Sequence, residues 1–133
     1  MTEHTGSCLC GSVQFAIAGH LESFYICHCQ HCKKDTGTAF AANLFSRSAQ
    51  LTWLAGVEAV TSFTLPGTRH SKSFCQTCGS ALPNTLQPGL LAVPAGCLDS
   101  TISLLPTAHI FTSRKAGWEG MNTGALSFEE LPE

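Results

Sequence analysis

Apolar side chains along this chain recur with a period of two far more than with a period of 3.6. Val13, Phe15 and Ile17 alternate with Ser12, Gln14 and Ala16. Phe40, Ala42 and Leu44 repeat the pattern among more apolar neighbours. Successive side chains of an extended chain point to opposite faces, so this alternation predicts half-buried strands. Runs at 51–53, 57–65, 68–74, 90–93 and 108–112, and one ending at Ile26, read the same way. Turn signals separate them: Ala55-Gly56, Pro66-Gly67, Pro88-Gly89 and Leu98-Asp99-Ser100. Only 29–36 reads as helix, with Gly37 as its stop. Many short strands with almost no helix predict an all-β fold, a sandwich or a folded-over sheet of short antiparallel strands. No linker, repeat or low-complexity tract divides the 133 residues, so a single domain over 1–133 is expected. The stretch at 121–133 carries weak signals and reads as a tail wrapping the body.

The polar positions become informative where they are cysteines. Seven of the eight fall into three clusters: Cys8-Leu-Cys10, Cys27-His-Cys29-Gln-His-Cys32 and Cys75-Gln-Thr-Cys78 followed by Gly79. Two residues apart on an extended strand, side chains run parallel on one face, with poor geometry for a mutual disulfide. Such spacings favour metal ligation over disulfides. Two pairs make one closed four-thiolate site, for which Cys8, Cys10, Cys75 and Cys78 are the candidates. It would clip the first strand, with Leu9 turned into the core, to a strand halfway along the chain. A clip across so long a loop removes much entropy from the unfolded chain. Gly79 would take the positive φ of the C-x-x-C turn. The remaining trio, Cys27, Cys29 and Cys32, supplies three ligands from one loop and leaves a fourth position open, the arrangement by which zinc does chemistry. Cys32 falls within the helical turn, where N–H groups lower a thiolate's pKa. Spacing does not by itself fix the partition. Cys27 and Cys29 could instead join Cys75 and Cys78, and Cys97 or His31 could close the trio.

Charge narrows the partners. Charged residues make up 12% of the chain and the formal charge is −2 with His neutral. Seven thiolates, partly offset by two Zn²⁺, would take it to about −5. That balance offers no electrostatic footprint for nucleic acid and no basic segment for an anionic membrane. The polar start MTEHTGSCLCG lacks a secretory apolar region, and no apolar run is long enough to span a bilayer. A cytoplasmic protein with reduced thiols is expected.

The order C-x-C-G, C-H-C-x-x-C and F-C-x-x-C-G-S, with Lys33-Lys34-Asp35-Thr36-Gly37 after the middle cluster, resembles the glutathione-dependent formaldehyde-activating enzyme family, which includes the centromere protein V domain. Gly96-Cys-Leu-Asp99, His109-Ile-Phe111, Ser113-Arg-Lys115 and Trp118 extend the resemblance to most of the chain. It implies a β-tent-like fold stapled by zinc and two zinc ions per chain. One is structural on Cys8, Cys10, Cys75 and Cys78, and one catalytic on Cys27, Cys29 and Cys32. It implies a carbon–sulfur lyase-type activity, joining a thiol such as glutathione to formaldehyde or another small aldehyde. A non-catalytic zinc-stapled binding module is the alternative, because substrate does not follow from scaffold. Glutathione brings two carboxylates. Lys33 and Lys34 are the nearest cations to the trio in sequence, Arg69, Lys72, Arg114 and Lys115 are further candidates, and Thr36 and Gly37 offer polar and backbone groups.

Overall fold

The structure, a computed structural model, describes residues 3–87, 89–120 and 124–132. The described residues are mostly β and form three small sheets. The first joins β1 (Glu3–Ser7), β2 (Gln14–Ala18) and β5 (Gln50–Ala55) in the order β1-β2-β5, all antiparallel. The second has β3 (Ser23–Cys27), β4 (Ala41–Ser46), β9 (Asn84–Gln87), β10 (Leu90–Pro94) and β11 (Ala108–Ile110) in the order β11-β3-β4-β10-β9. Here β11 runs parallel to β3 and the other pairs are antiparallel. The third joins β6 (Val60–Thr64), β7 (Ser71–Cys75) and β8 (Ala81–Leu82). A short α-helix, α1 (Gln30–Thr36), links β3 to β4.

The alternation read from the sequence sets the two faces of the second sheet. Phe24, Ile26, Leu44, Leu91 and Val93 turn inward and pack with Phe15 and Ile17 of β2. Phe15, Ile17, Leu44 and Val93 are wholly shielded from water, which places the main hydrophobic stabilisation here. The opposite face presents Tyr25 and Cys27 of β3, Asn43 and Phe45 of β4, and Ala92 and Pro94 of β10, all in register, to a cavity.

Several expected boundaries move, each for a local reason. The run at 57–65 begins as a 3-10 turn, Val57–Ala59, because the Ala59 carbonyl is needed by the Gln76 N–H (2.8 Å) beside Cys75. The run at 68–74 starts only at Ser71. The hairpin closes where the Leu65 N–H meets the His70 carbonyl (2.9 Å), leaving Thr68 in the turn. The run at 108–112 stops at Ile110, since Phe111 adopts a left-handed backbone (φ 55°). β1 has no apolar alternation to announce it. Gly6 belongs there because the Phe15 ring lies 2.2 Å from where a Cβ would stand. Leu9 is also corrected: it sits in a turn at 8–11, not on a strand, and is 85% exposed instead of reaching the core. The turn expected at Pro88-Gly89 falls partly on residue 88, outside the described residues. The tail lies partly outside them too, and its described residues 124–132 are exposed and without regular structure.

Candidate metal centres

The four-cysteine group forms where two turns meet. The Gly11 N–H bonds the Cys8 carbonyl (3.0 Å), closing the turn that carries Cys8 and Cys10. Cys75 ends β7, and the Gly79 N–H returns to its carbonyl (2.7 Å). Gly79 has φ 78°, the left-handed backbone expected of it. The Cys8 and Cys10 sulfurs are 3.6 Å apart, and those of Cys10 and Cys75 3.9 Å. Four sulfurs at the usual zinc–sulfur distance of about 2.3 Å form a tetrahedron with edges of about 3.8 Å. The group therefore fits a tetrahedral ion with little movement. Its surroundings favour thiolate at Cys8 and Cys75, whereas the Cys10 thiol is raised. Burial opposes ionisation of Cys8, but the Val13 N–H (3.3 Å to Sγ) and the neighbouring polar groups outweigh it and bring the pKa down to about 6. The N–H of Cys78 lowers Cys75 in the same way.

The three-cysteine group stands where β3 runs into α1. Cys27 is the last residue of β3, paired with Ala41 on one side and Ile110 on the other. Cys29 is the N-cap of α1, its sulfur accepting the Cys32 N–H at 3.3 Å. The Cys27, Cys29 and Cys32 sulfurs all lie within 4.8 Å of one another, a spacing that could hold a metal ion. Local electrostatics reverse one expectation. Burial, followed by the neighbouring Cys27 and Cys29 sulfurs, raises the Cys32 thiol; at Cys29 burial also opposes ionisation, but the helix-start N–H together with the hydrogen bonds from the Cys32 and Cys27 sulfurs and the His31 N–H outweighs it and lowers the pKa.

Among the described residues, these are the two groups of His, Cys, Asp and Glu that gather closely enough for an ion. Among the described residues no fourth side chain joins the trio. Cys97 is buried elsewhere, and its thiol is pushed up to about 12 by desolvation. His31 lies on the wall of the neighbouring cavity. His28 is fully buried, its Nε2 2.9 Å from His109 Nδ1 and its Nδ1 3.0 Å from Glu119 Oε1 but off the axis of a hydrogen bond. Its ring lies edge-on to Phe40, and its N–H bonds the Ile110 carbonyl (3.0 Å), fastening β11 beside the trio.

All three cysteines of the trio line a cavity of about 710 Å³. Of the residues suggested for a thiol substrate, Thr36 is on its wall, with its Oγ1 donating to the Cys32 carbonyl (2.9 Å). Lys33, Lys34 and Gly37 are not on the wall, and the Lys33 ammonium reaches the Arg114 carbonyl (2.5 Å). Arg69 and Lys72 are on the wall, as are Asp35 and His70. The sequence offered no sign of the last two as a pair, since 35 positions separate them.

A mostly β chain with a four-cysteine and a three-cysteine cluster defines the class. The family model described as "Glutathione-dependent formaldehyde-activating enzyme" matches residues 3–114. The chain belongs to that family. A crystal structure of a Rhodobacter sphaeroides protein is similar in fold, with a TM-score of 0.57 at 22% identity over 79% of this chain and 98% of that one. No helix among the described residues is long and apolar enough to cross a membrane.

Proposed function

We propose that this protein is a zinc-dependent carbon–sulfur lyase-type enzyme that joins a thiol, glutathione or a close relative, to formaldehyde or another small aldehyde. One observation carries the reading: the trio, with a ligand position to spare, opens onto the large cavity. Cys27, Cys29 and Cys32 would hold the catalytic Zn²⁺, which when bound supplies a positive centre for a substrate thiolate. The sheet face of Tyr25, Asn43, Phe45 and Ala92 walls the chamber and limits water around the reacting groups. Arg69 offers a cation for a carboxylate of the thiol. Thr36, on the cavity wall, completes the candidate substrate contacts. Cys8, Cys10, Cys75 and Cys78 would hold a second, structural zinc. Reduced thiols at both centres suit the cytoplasm.

The test is zinc content per chain, then calorimetric titration with glutathione and an NMR assay of adduct formation with formaldehyde. Two zinc ions, thiol binding lost in Cys29→Ser, and accelerated adduct formation are expected. Thiol binding that survives Cys29→Ser, or none in the wild type, would leave a zinc-stapled binding module.

A further inference from the structure

The cavity holds a second constellation, on the helix side of the trio. Asp35 lies one helical turn after Cys32 on α1, so the two side chains share a face. Its Oδ2 is 2.7 Å from His70 Nε2, and its Oδ1 is 2.6 Å from Lys72 Nζ. Both Asp35 and His70 are largely shielded, at 17% and 21% exposure, and both line the same cavity as the three cysteines. The His70 backbone is held at both ends, its N–H by Thr68 Oγ1 (3.1 Å) and its carbonyl by the Leu65 N–H (2.9 Å). His31, between two cysteines of the trio, stands edge-on to the His70 ring at 5.6 Å. An acceptor on Nε2 selects the tautomer protonated there and leaves Nδ1 as the basic atom. Nδ1 makes no hydrogen bond among the described residues.

We propose that His70 is the acid–base residue of the thiol–aldehyde reaction and Asp35 the residue that positions it, an inference that rests on the function proposed above. The thiol proton passes to His70 Nδ1 as the sulfur electron pair forms the C–S bond. The carbonyl π pair moves onto oxygen, which then takes the proton back from Nδ1. Thiol and aldehyde become one hemithioacetal, with no oxidant, reductant or further reactant. The reverse path uses the same proton in the opposite sense. Lys72, 2.6 Å from Oδ1, holds Asp35 in its orientation and so keeps the imidazole in one tautomer. The charged and titratable groups around His70 are His31 and Asp35 from α1, Lys72 from β7 and the adjacent Arg69.

The experiment measures adduct formation and cleavage with the zinc-loaded full chain of the wild type, His70→Ala, His70→Gln and Asp35→Asn. Zinc content and circular dichroism check that each variant is folded. General acid–base catalysis contributes at least about 100-fold in rate, so kcat should fall by about that factor in both His70 variants, with KM for glutathione within twofold. Exogenous imidazole should restore a share of the His70→Ala rate, and Asp35→Asn should lose about tenfold in kcat. His70→Gln keeps a side chain able to bond Asp35, so it serves if His70→Ala fails to fold. An active wild type with either His70 variant within threefold of it overturns the role of His70 alone. A loss that imidazole does not relieve also overturns it and leaves the pair as a tie between α1 and β7. A wild type inert to every thiol–aldehyde combination removes the proposed function and this role with it.

Discussion

Replacing Cys75 by Ser should cost far more stability than replacing Cys29 by Ser, although each removes one sulfur from a cluster. Cys75 is wholly buried and joins the turn at Cys8 and Cys10 from 65 positions away. Cys27 and Cys32 are only five positions apart. The closure entropy that a bound metal removes from the unfolded chain grows as (3/2)RT ln n, so the ratio of the two loops sets a difference of about 2.3 kcal/mol. The constants of the closure expression cancel in this comparison. With a urea dependence of about 2 kcal/mol per molar, the zinc-loaded Cys75→Ser midpoint should lie about 1 M below that of Cys29→Ser. The remaining buried Cys8 thiolate, left with an incomplete ligand set, adds to the loss. Urea titrations followed by tryptophan fluorescence, with zinc counted in each variant, read the difference. Equal midpoints for the two variants, or an unchanged midpoint for Cys75→Ser, would refute the assignment of the four-cysteine group as the structural clip.

Three further outcomes follow from the packing and the electrostatics. Phe15 is fully buried at the centre of the core and edge-on to Trp53, so Phe15→Ala should destabilise by about 3–5 kcal/mol in chemical denaturation; a loss under 1 kcal/mol would mean the core lies elsewhere. The Glu22 carboxylate, hydrogen-bonded by the Ser48 hydroxyl and the Arg47 N–H, has its pKa held below the ordinary 4.5. The folded state thus binds fewer protons than the unfolded one, and this stabilisation is complete above about pH 4.5 and lost as pH falls through the lowered value. Glu22→Gln should therefore narrow the stability gap between pH 6 and pH 3, and an unaltered acid limb in thermal melts would count against it. Cys97, desolvated to a pKa of about 12, holds roughly one thiolate in ten thousand at pH 8. It should resist iodoacetamide in the native protein, and mass-spectrometric labelling at the rate of a free thiol would contradict its burial.

Legibility differed by element. β2 could be read directly, because one face meets the core and alternation records that choice residue by residue. β1 could not, since Glu3, Thr5 and Ser7 carry no apolar signal and its place depends on Gly6 yielding room to Phe15. Leu9 misled for a related reason: two cysteines two apart suit a strand, but here the chain turns to bring both sulfurs to one point. Cys32 misled because a helix start favours thiolate while burial opposes it, and burial belongs to the packed molecule.

By itself the chain's own order of residues determined a strand-rich fold, a short helix ending at Gly37 and three clusters of sulfur, because each depends on neighbours a few positions apart. It left open how the clusters combine. Only tertiary structure decided that Cys10 meets Cys75 across 65 positions, that the trio stands without a fourth protein ligand among the described residues, and that Asp35 and His70 meet at the wall of its cavity. Such meetings depend on how sheets fold over one another. That geometry is set by the sum of many weak burial terms and by no local pattern.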